Sequence, residues 1–318
     1  MSTDINIESF KKDVLEGLSG FPKYLPSKYF YDEKGDHIFL EIMEQDEYYL
    51  SRSETEILKT YSTDILNHLD LNFGIHLIEP GSGNGIKTAI FMEELLKLSP
   101  ESVFNPIDIS PNVLSLLLAN FKKLLPDARV EPIVTDYDHI YSHLPHDNKK
   151  KLMLFLGSNL GNYNYSLGLK LLKTFTDCLS SNDYFLIGLD LVKEPSIILS
   201  AYNDANGTTA NFNFNLLERM NRELKTDFQK DGFFHYPIYN PILQQAESYL
   251  ISNRRQTISF QDSNEKIELD KWESIHTEIS RKFTLREIEE MANLSGMEVI
   301  KNYFDSREYF CCSLWKKK

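Results

Sequence analysis

Cysteine is scarce in this sequence: three residues in 318, Cys178 and the adjacent Cys311 and Cys312. Three cysteines build no disulfide framework, and their spacing matches no metal-binding pattern. The adjacent pair sits in an apolar run, YFCCSLW, which reads as a strand with two small core residues. Positive charge is also short, with 34 Lys and Arg against 47 Asp and Glu, a net charge of −13. Nucleic-acid binders usually present a basic surface, so a nucleic-acid partner is not expected. The basic runs Lys149-Lys150-Lys151 and Lys316-Lys317-Lys318 are short and read as a solvated turn and a tail. No apolar stretch approaches the ~20 residues that cross a bilayer, so no membrane partner is expected. The opening MSTDINIESF has neither a basic n-region nor an apolar h-region, which argues against a secretory leader. The expected setting is a reduced cytoplasm. Repeats and low-complexity stretches are absent as well. What remains is the composition of a folded globular chain, 42% hydrophobic and 25% charged.

From about residue 53, short apolar runs alternate with helical patterns. GIHLIE (74–79), VFNPIDIS (103–110), RVEPIVTD (129–136), KLMLFLGS (151–158) and YFLIGLDL (184–191) read as five strands. Helices are expected over 86–98, 112–125 and 166–179. This alternation predicts a parallel, doubly wound α/β sheet. It stops near Val192. Residues 194–226 read as helical with a turn at Asn206-Gly207, and 233–283 as antiparallel strands with a polar break at QDSNEK (261–266). A helix over 285–294, ended by Gly296, and two strands, MEVIKNYF and EYFCCSLW, then close the α/β core. The aromatic N-terminal segment falls outside the alternation and is expected to join the insertion as a second lobe.

The loop EPGSGNGIKT (79–88) follows the first expected strand and opens the first expected helix. Such a loop places a ligand at the carboxyl ends of the strands. Its glycines run G-x-G-x-G through Gly81, Gly83 and Gly85. A dinucleotide loop needs glycine where Ile86 stands, and a phosphate loop needs glycine immediately before the lysine, where Ile86 stands again. Three successive strand ends then carry Glu79 with the glycines, Asp108, and Asp136. The three histidines His139, His143 and His146 lie in a polar connection and read as surface residues, with no metal implied.

The pattern Glu79-x-Gly81-x-Gly83-x-Gly85 resembles the first motif of class I S-adenosylmethionine-dependent methyltransferases. The strings SKYFYDEKGDHIFLEIMEQDEYYLSRSE (27–54), FLGSNLGN (155–162), LVKEPSIILSAYNDANGTTANFNFNLLERMNRELK (191–225) and HTEISRKF (276–283) resemble, more specifically, the ergothioneine-pathway L-histidine Nα-methyltransferases. The resemblance covers roughly residues 20–315. It implies a class I methyltransferase Rossmann-like domain over 53–192 plus 284–318, and an α+β amino-acid domain over 1–52 plus 193–283. The implied activity is S-adenosylmethionine-dependent methylation of the histidine α-amino group, up to the trimethylated betaine; a sulfonium methyl is already activated, so no metal is expected, and the expected state is a monomer. On the cofactor side the resemblance implies Glu79, Gly81, Gly83, Gly85, Lys87, Asp108, Asp136 and Tyr137, with Asp108 at the ribose and Asp136 near the adenine. On the substrate side it implies Gly157 and Asn162 at the amino-acid end, Tyr202 at the carboxylate, and Glu278 with Ser280 at the imidazole. Tyr48 lines the same pocket, and Tyr31 joins Asn162 as a candidate for positioning the amine. A carboxylate and a hydroxyl suit an imidazole, which presents N–H donors.

Two positions depart from the family's pattern. Pro80 stands where leucine is usual, and Ser248 where the bacterial histidine enzymes often carry methionine. Fungal dimethylallyltryptophan N-methyltransferases share the broader family. Two other readings therefore stay open at this stage: an Nα-methyltransferase for another amino acid or an indole derivative, and a non-catalytic S-adenosylmethionine-binding relative.

Overall fold

The computed structural model describes residues 7–318. The opening stretch read above for a leader lies partly outside them. Two compact units divide the chain: Leu50–Val192 with Lys282–Lys318, and the segment ending at Tyr49 with Lys193–Arg281.

The first unit is built on one mixed sheet. Its strands are β1 (Ile75–Pro80), β2 (Val103–Asp108), β3 (Arg129–Val130), β4 (Ile133–Val134), β5 (Lys150–Phe155), β6 (Tyr184–Asp190), β7 (Met297–Phe304) and β8 (Phe310–Lys317). Their spatial order is β7-β8-β6-β5-β1-β2-β3, with β4 also paired to β2. Strands β1 to β6 pair in parallel, and β8 and β7 close the sheet antiparallel. This is the doubly wound sheet that the alternation predicts. Order reverses at β1: the chain moves outward through β2 and β3, then crosses back to β5 and β6. Open sheets of this kind bind ligands at the carboxyl ends of the strands beside that reversal. Every residue of β1 and β6 is buried, as strands covered on both faces should be. Leu152, Phe155, Phe185, Ile187 and Trp315 are among the fully covered side chains, each contributing roughly 1.5–3 kcal/mol by leaving water.

Three sequence expectations change here. Residues 129–136 do not form one strand. Glu131 N–H still donates to Phe104 O at 2.8 Å, but Pro132 has no N–H to give, and pairing resumes only at Ile133. Nor is the lysine run a solvated turn. Lys150 and Lys151 start β5 and are half-buried, while Lys149 Nζ donates to Phe73 O and Glu101 O at 2.7 and 2.8 Å. The terminal lysines likewise are no free tail: β8 runs to Lys317, whose Nζ donates to Thr176 O at 2.8 Å. Cys311 and Cys312 are buried core residues of β8.

In the second unit a four-stranded sheet runs in the order Lys23–Tyr24, Ser274–Arg281, Gln245–Ser252, Phe233–Asn240. A ribbon, Gln256–Ser259 with Lys266–Leu269, flanks the polar break. Helix Thr208–Leu224 packs into the core through Phe212, Leu216, Leu217 and Met220. It also pins the aromatic N-terminal segment. Buried Arg219 donates to Tyr29 O at 2.9 Å and Tyr31 O at 3.3 Å. Asp32 caps helix Glu33–Glu44 through Gly35 N–H and accepts from Asn215 Nδ2 at 2.8 Å. These bonds fix the backbone on both sides of Tyr31.

Candidate active site

In the first unit, β1 ends at Pro80, and Gly81 N–H donates to Ile107 O at 2.8 Å. The chain then turns through three glycines at φ +70°, +55° and +71° for Gly81, Gly83 and Gly85. Two of them are demanded by neighbours as well as by φ. A Cβ on Gly81 would lie 2.7 Å from the Tyr137 hydroxyl, and one on Gly85 would lie 2.7 Å from the Phe121 ring. Around Gly83 there is open space. Gly85 is the N-cap of helix Ile86–Leu98, whose first N–H groups and dipole face the loop.

Charged and polar groups surround this loop. Glu79 is buried and accepts from Thr88 Oγ1 at 2.5 Å. Burial pushes its carboxyl up to about 8, against the opposing pull of the Thr88 hydroxyl and the Lys87 charge. Asp108, at the end of β2, is also raised by burial, offset by N–H bonds from Ser110 and Ile109. Tyr137 stands over Gly81 with its hydroxyl pKa raised by burial and by the nearby Tyr163, Asp108 and Glu79. Asp136 is different: it is exposed, and its carboxylate accepts from His139 N at 3.0 Å and bonds His139 Nδ1 at 2.6 Å. His139 is itself exposed, as are His143 and His146. The buried Ser82 Oγ has no hydrogen-bond partner. An orphaned hydroxyl in a loop of left-handed glycines, next to a helix N-terminus, fits a ligand with polar groups.

Gly157 and Asn162 also belong to the first unit. Gly157 follows β5, and its N–H donates to the Glu54 carboxylate at 2.8 and 3.0 Å. Glu54 also holds the Lys87 ammonium. Asn162 ends the short turn Asn159–Asn162 and is half-buried. The sequence reading missed Glu54. Its signal was a carboxylate at a buried position of helix Leu50–Leu66, level with Leu50, Ser53, Ile57 and Leu58.

The second unit brings together Tyr31, Tyr202, Ser248, Glu278 and Ser280. Strand Ser274–Arg281 pairs with Gln245–Ser252 so that Glu278 faces Ser248, and Ser280 faces Ala246. The register shifts between His276 and Glu278. Within this irregularity Thr277 is buried and donates to Asn213 Oδ1 at 2.6 Å and Ser248 O at 3.0 Å. Ser248 Oγ donates to Glu278 Oε2 at 3.3 Å. Tyr202, at the end of helix Pro195–Tyr202, donates to Ser280 Oγ at 2.6 Å. Tyr31 keeps 38% of its surface exposed. The protein packed around its hydroxyl, then the Glu278 charge, nonetheless push its pKa up. Tyr48 reaches this group through Phe39, with ring centroids 6.1 Å apart, and Phe39 meets Tyr31 at 5.6 Å.

Among the described residues, no three His, Cys, Asp or Glu side chains converge in a metal-holding group. No helix among them is long and apolar enough to cross a membrane.

Comparison with known proteins decides the family. Residues 10–317 match the family described as "Histidine-specific methyltransferase, SAM-dependent". This chain is a member of that family. It is 32% identical over 283 residues to the histidine N-alpha-methyltransferase of Mycolicibacterium smegmatis, covering 89% of this chain and 87% of that protein. The corresponding protein of Mycobacterium tuberculosis is 30% identical, with 97% and 95% covered. Ergothioneine biosynthesis protein 1 of Neurospora crassa is 27% identical over 97% of this chain but only 35% of its own length. Membership makes the doubly wound unit the fold of an S-adenosylmethionine-dependent methyltransferase.

Proposed function

We propose that this methyltransferase acts on the α-amino group of L-histidine and transfers three methyl groups in succession, giving the betaine. The observation that carries the reading is Glu278: a carboxylate set on the inner face of the second unit's sheet, beside Ser280, Ser248 and Tyr31. A carboxylate is acceptor-only when ionised, so it suits an imidazole N–H. A substrate lacking that N–H would leave the acceptor without its partner, which is how such a site rejects analogues. The two mycobacterial relatives named for histidine support the same choice. The net charge of −13 supports a free small substrate over a polyanion.

The first unit is proposed to hold the cofactor through Glu79, Gly81, Gly83, Gly85, Lys87, Asp108, Asp136 and Tyr137. Asp108 suits two ribose hydroxyls, and Lys87 the methionyl carboxylate. For Asp136 to meet the adenine amino group, its carboxylate must share or release His139. When bound, S-adenosylmethionine would supply a methyl on a sulfonium: the amine nitrogen takes the methyl carbon, sulfur leaves as a thioether with the bonding electron pair, and the ammonium proton passes to solvent before the next transfer.

The chain's residues must bind a neutral amine and orient it, because proximity and alignment supply most of the rate in such transfers. In the first two transfers Asn162 is proposed to accept from the amine N–H through its amide oxygen, leaving the lone pair free to react. Tyr31 retains its proton at neutral pH, so it serves as a donor and not as the base. For Tyr202 to bind the substrate carboxylate, its O–H must turn from Ser280, which then donates back to the tyrosine oxygen. The aromatic faces of Tyr31, Phe39 and Tyr48 suit the growing quaternary ammonium.

Ser248 favours a second reading in which the side-chain pocket admits an indole, whose N–H is also a donor. One assay separates the two. The enzyme is incubated with S-adenosylmethionine and each of L-histidine and L-tryptophan, and products are weighed by mass spectrometry. Mono-, di- and trimethylhistidine are expected. Methylation of tryptophan with histidine inert would replace the histidine reading.

A further inference from the structure

Glu54 lies outside every role assigned so far, yet the first unit is built around it. It is wholly buried, and a buried carboxylate is costly unless paired and hydrogen-bonded. Both of its oxygens accept the Gly157 N–H, at 2.8 and 3.0 Å, and Oε2 also meets the Lys87 ammonium. Strand β6 makes room for it: a Cβ on Gly188 would lie 2.0 Å from Glu54 Oε1. Cys312, opposite Gly188 on β8, has its thiol pushed up by burial and then by the Glu54 charge.

The two partners of Glu54 come from different parts of the chain. Lys87 stands in the first turn of the helix that follows the glycine loop, and its side chain is 27% exposed. An ammonium has three donors, so one can stay on Glu54 while another meets an anion. Gly157 leads from β5 into the turn that ends at Asn162, with φ +80°. One carboxylate therefore holds both the lysine of the cofactor loop and the backbone of the turn assigned to the amino acid.

We propose that Glu54 is a positioning residue that couples the two ligands: an anion drawn to Lys87 changes how tightly Glu54 holds the Gly157 amide, and so changes the affinity for the amino acid. This rests on the cofactor role proposed for Lys87. Coupling of this kind is reciprocal. It is also physical, running from ammonium to carboxylate to amide without a gap.

The test is calorimetry of the full chain with S-adenosylhomocysteine and L-histidine, each alone and each in the presence of the other. In the parent protein one ligand is expected to change the affinity of the other on the order of tenfold. In Glu54→Gln the factor falls to about one while the thermal transition stays cooperative. An unchanged factor in folded Glu54→Gln, or no coupling in the parent protein, overturns the proposal. A purely structural Glu54 would lower Tm and leave the factor alone. If histidine binds neither alone nor with the cofactor product, the substrate reading fails. The positioning role is then decided by nuclear magnetic resonance of Lys87→Met, which leaves Glu54 in place. Its ligand-free Gly157 amide resonance is expected to move, while that of exposed Lys123 does not. A stationary Gly157 amide overturns the proposal. The same measurement decides the case if Glu54→Gln does not fold.

Discussion

In the proposed reading, the glycine loop and the strand Ser274–Arg281 recognise their ligands by different means. In the loop the recognising surface is largely backbone: three left-handed glycines, a helix N-terminus, and a few side chains at strand ends. On the strand it is side chains held by other side chains, Glu278 by Ser248 and Ser280 by Tyr202, from elements 30 and 78 residues away. Backbone recognition tolerates little change of shape but says little about which substrate is methylated. Side-chain recognition is cheap to alter, and in the proposed reading it carries the specificity. A family built this way can keep one methyl donor and exchange its acceptors.

That contrast can be broken by substitutions that should hurt only one side. Glu278→Ala is expected to have the largest effect, lowering kcat/KM for histidine on the order of 1,000-fold, since the imidazole N–H loses a charged acceptor. Its affinity for S-adenosylhomocysteine should not change. The mirror experiment is Asp108→Ala, which should weaken S-adenosylhomocysteine roughly 100-fold by removing two bonds to a charged group. Histidine binding measured without cofactor should be untouched. Ser280→Ala, read by steady-state kinetics, should cost about tenfold in histidine kcat/KM, because a neutral hydroxyl contributes less and Tyr202, once turned to the substrate carboxylate, loses the hydroxyl that would donate to it.

A fourth effect concerns pH and not a ligand, and it sharpens the loop alone. Burial raises the Glu79 carboxyl from its ordinary 4.5 to about 8. A raised pKa favours the folded chain below the unfolded value, and the benefit is lost as pH rises through the folded one. The ligand-free parent should therefore lose Tm relative to Glu79→Gln between about pH 4.5 and 8, with the two converging toward acid. Differential scanning calorimetry across that range checks it. A difference that stays constant with pH would mean Glu79 ionises normally.

The sequence made the loop legible because its chemistry is local. Gly81, Gly83, Gly85 and Ile86 sit within six residues, and the spacing alone excludes dinucleotide and phosphate loops. The α/β alternation was equally readable, since buried parallel strands write continuous apolar runs such as YFLIGLD. The break at Pro132 was written in the sequence and passed over. The substrate face was legible only through family resemblance. HTEIS by itself is an ordinary polar strand, and nothing local says that Thr277 turns inward while Ser248 meets Glu278. Glu54 was illegible for the same reason. Its partners, Lys87 and Gly157, lie 33 and 103 residues away. Asp136 shows the converse: it was easy to pick as a strand-end acid, and its bond to His139 emerged only in three dimensions.

The central claim is that donor and acceptor specificity reside in separate residues. The most direct measurement is isothermal titration of Glu278→Gln with S-adenosylhomocysteine and with L-histidine, each ligand alone. Cofactor-product affinity should equal that of the parent protein, and histidine binding should be severely weakened, because a neutral amide replaces the charged acceptor. Histidine affinity unchanged in a folded Glu278→Gln protein would contradict it.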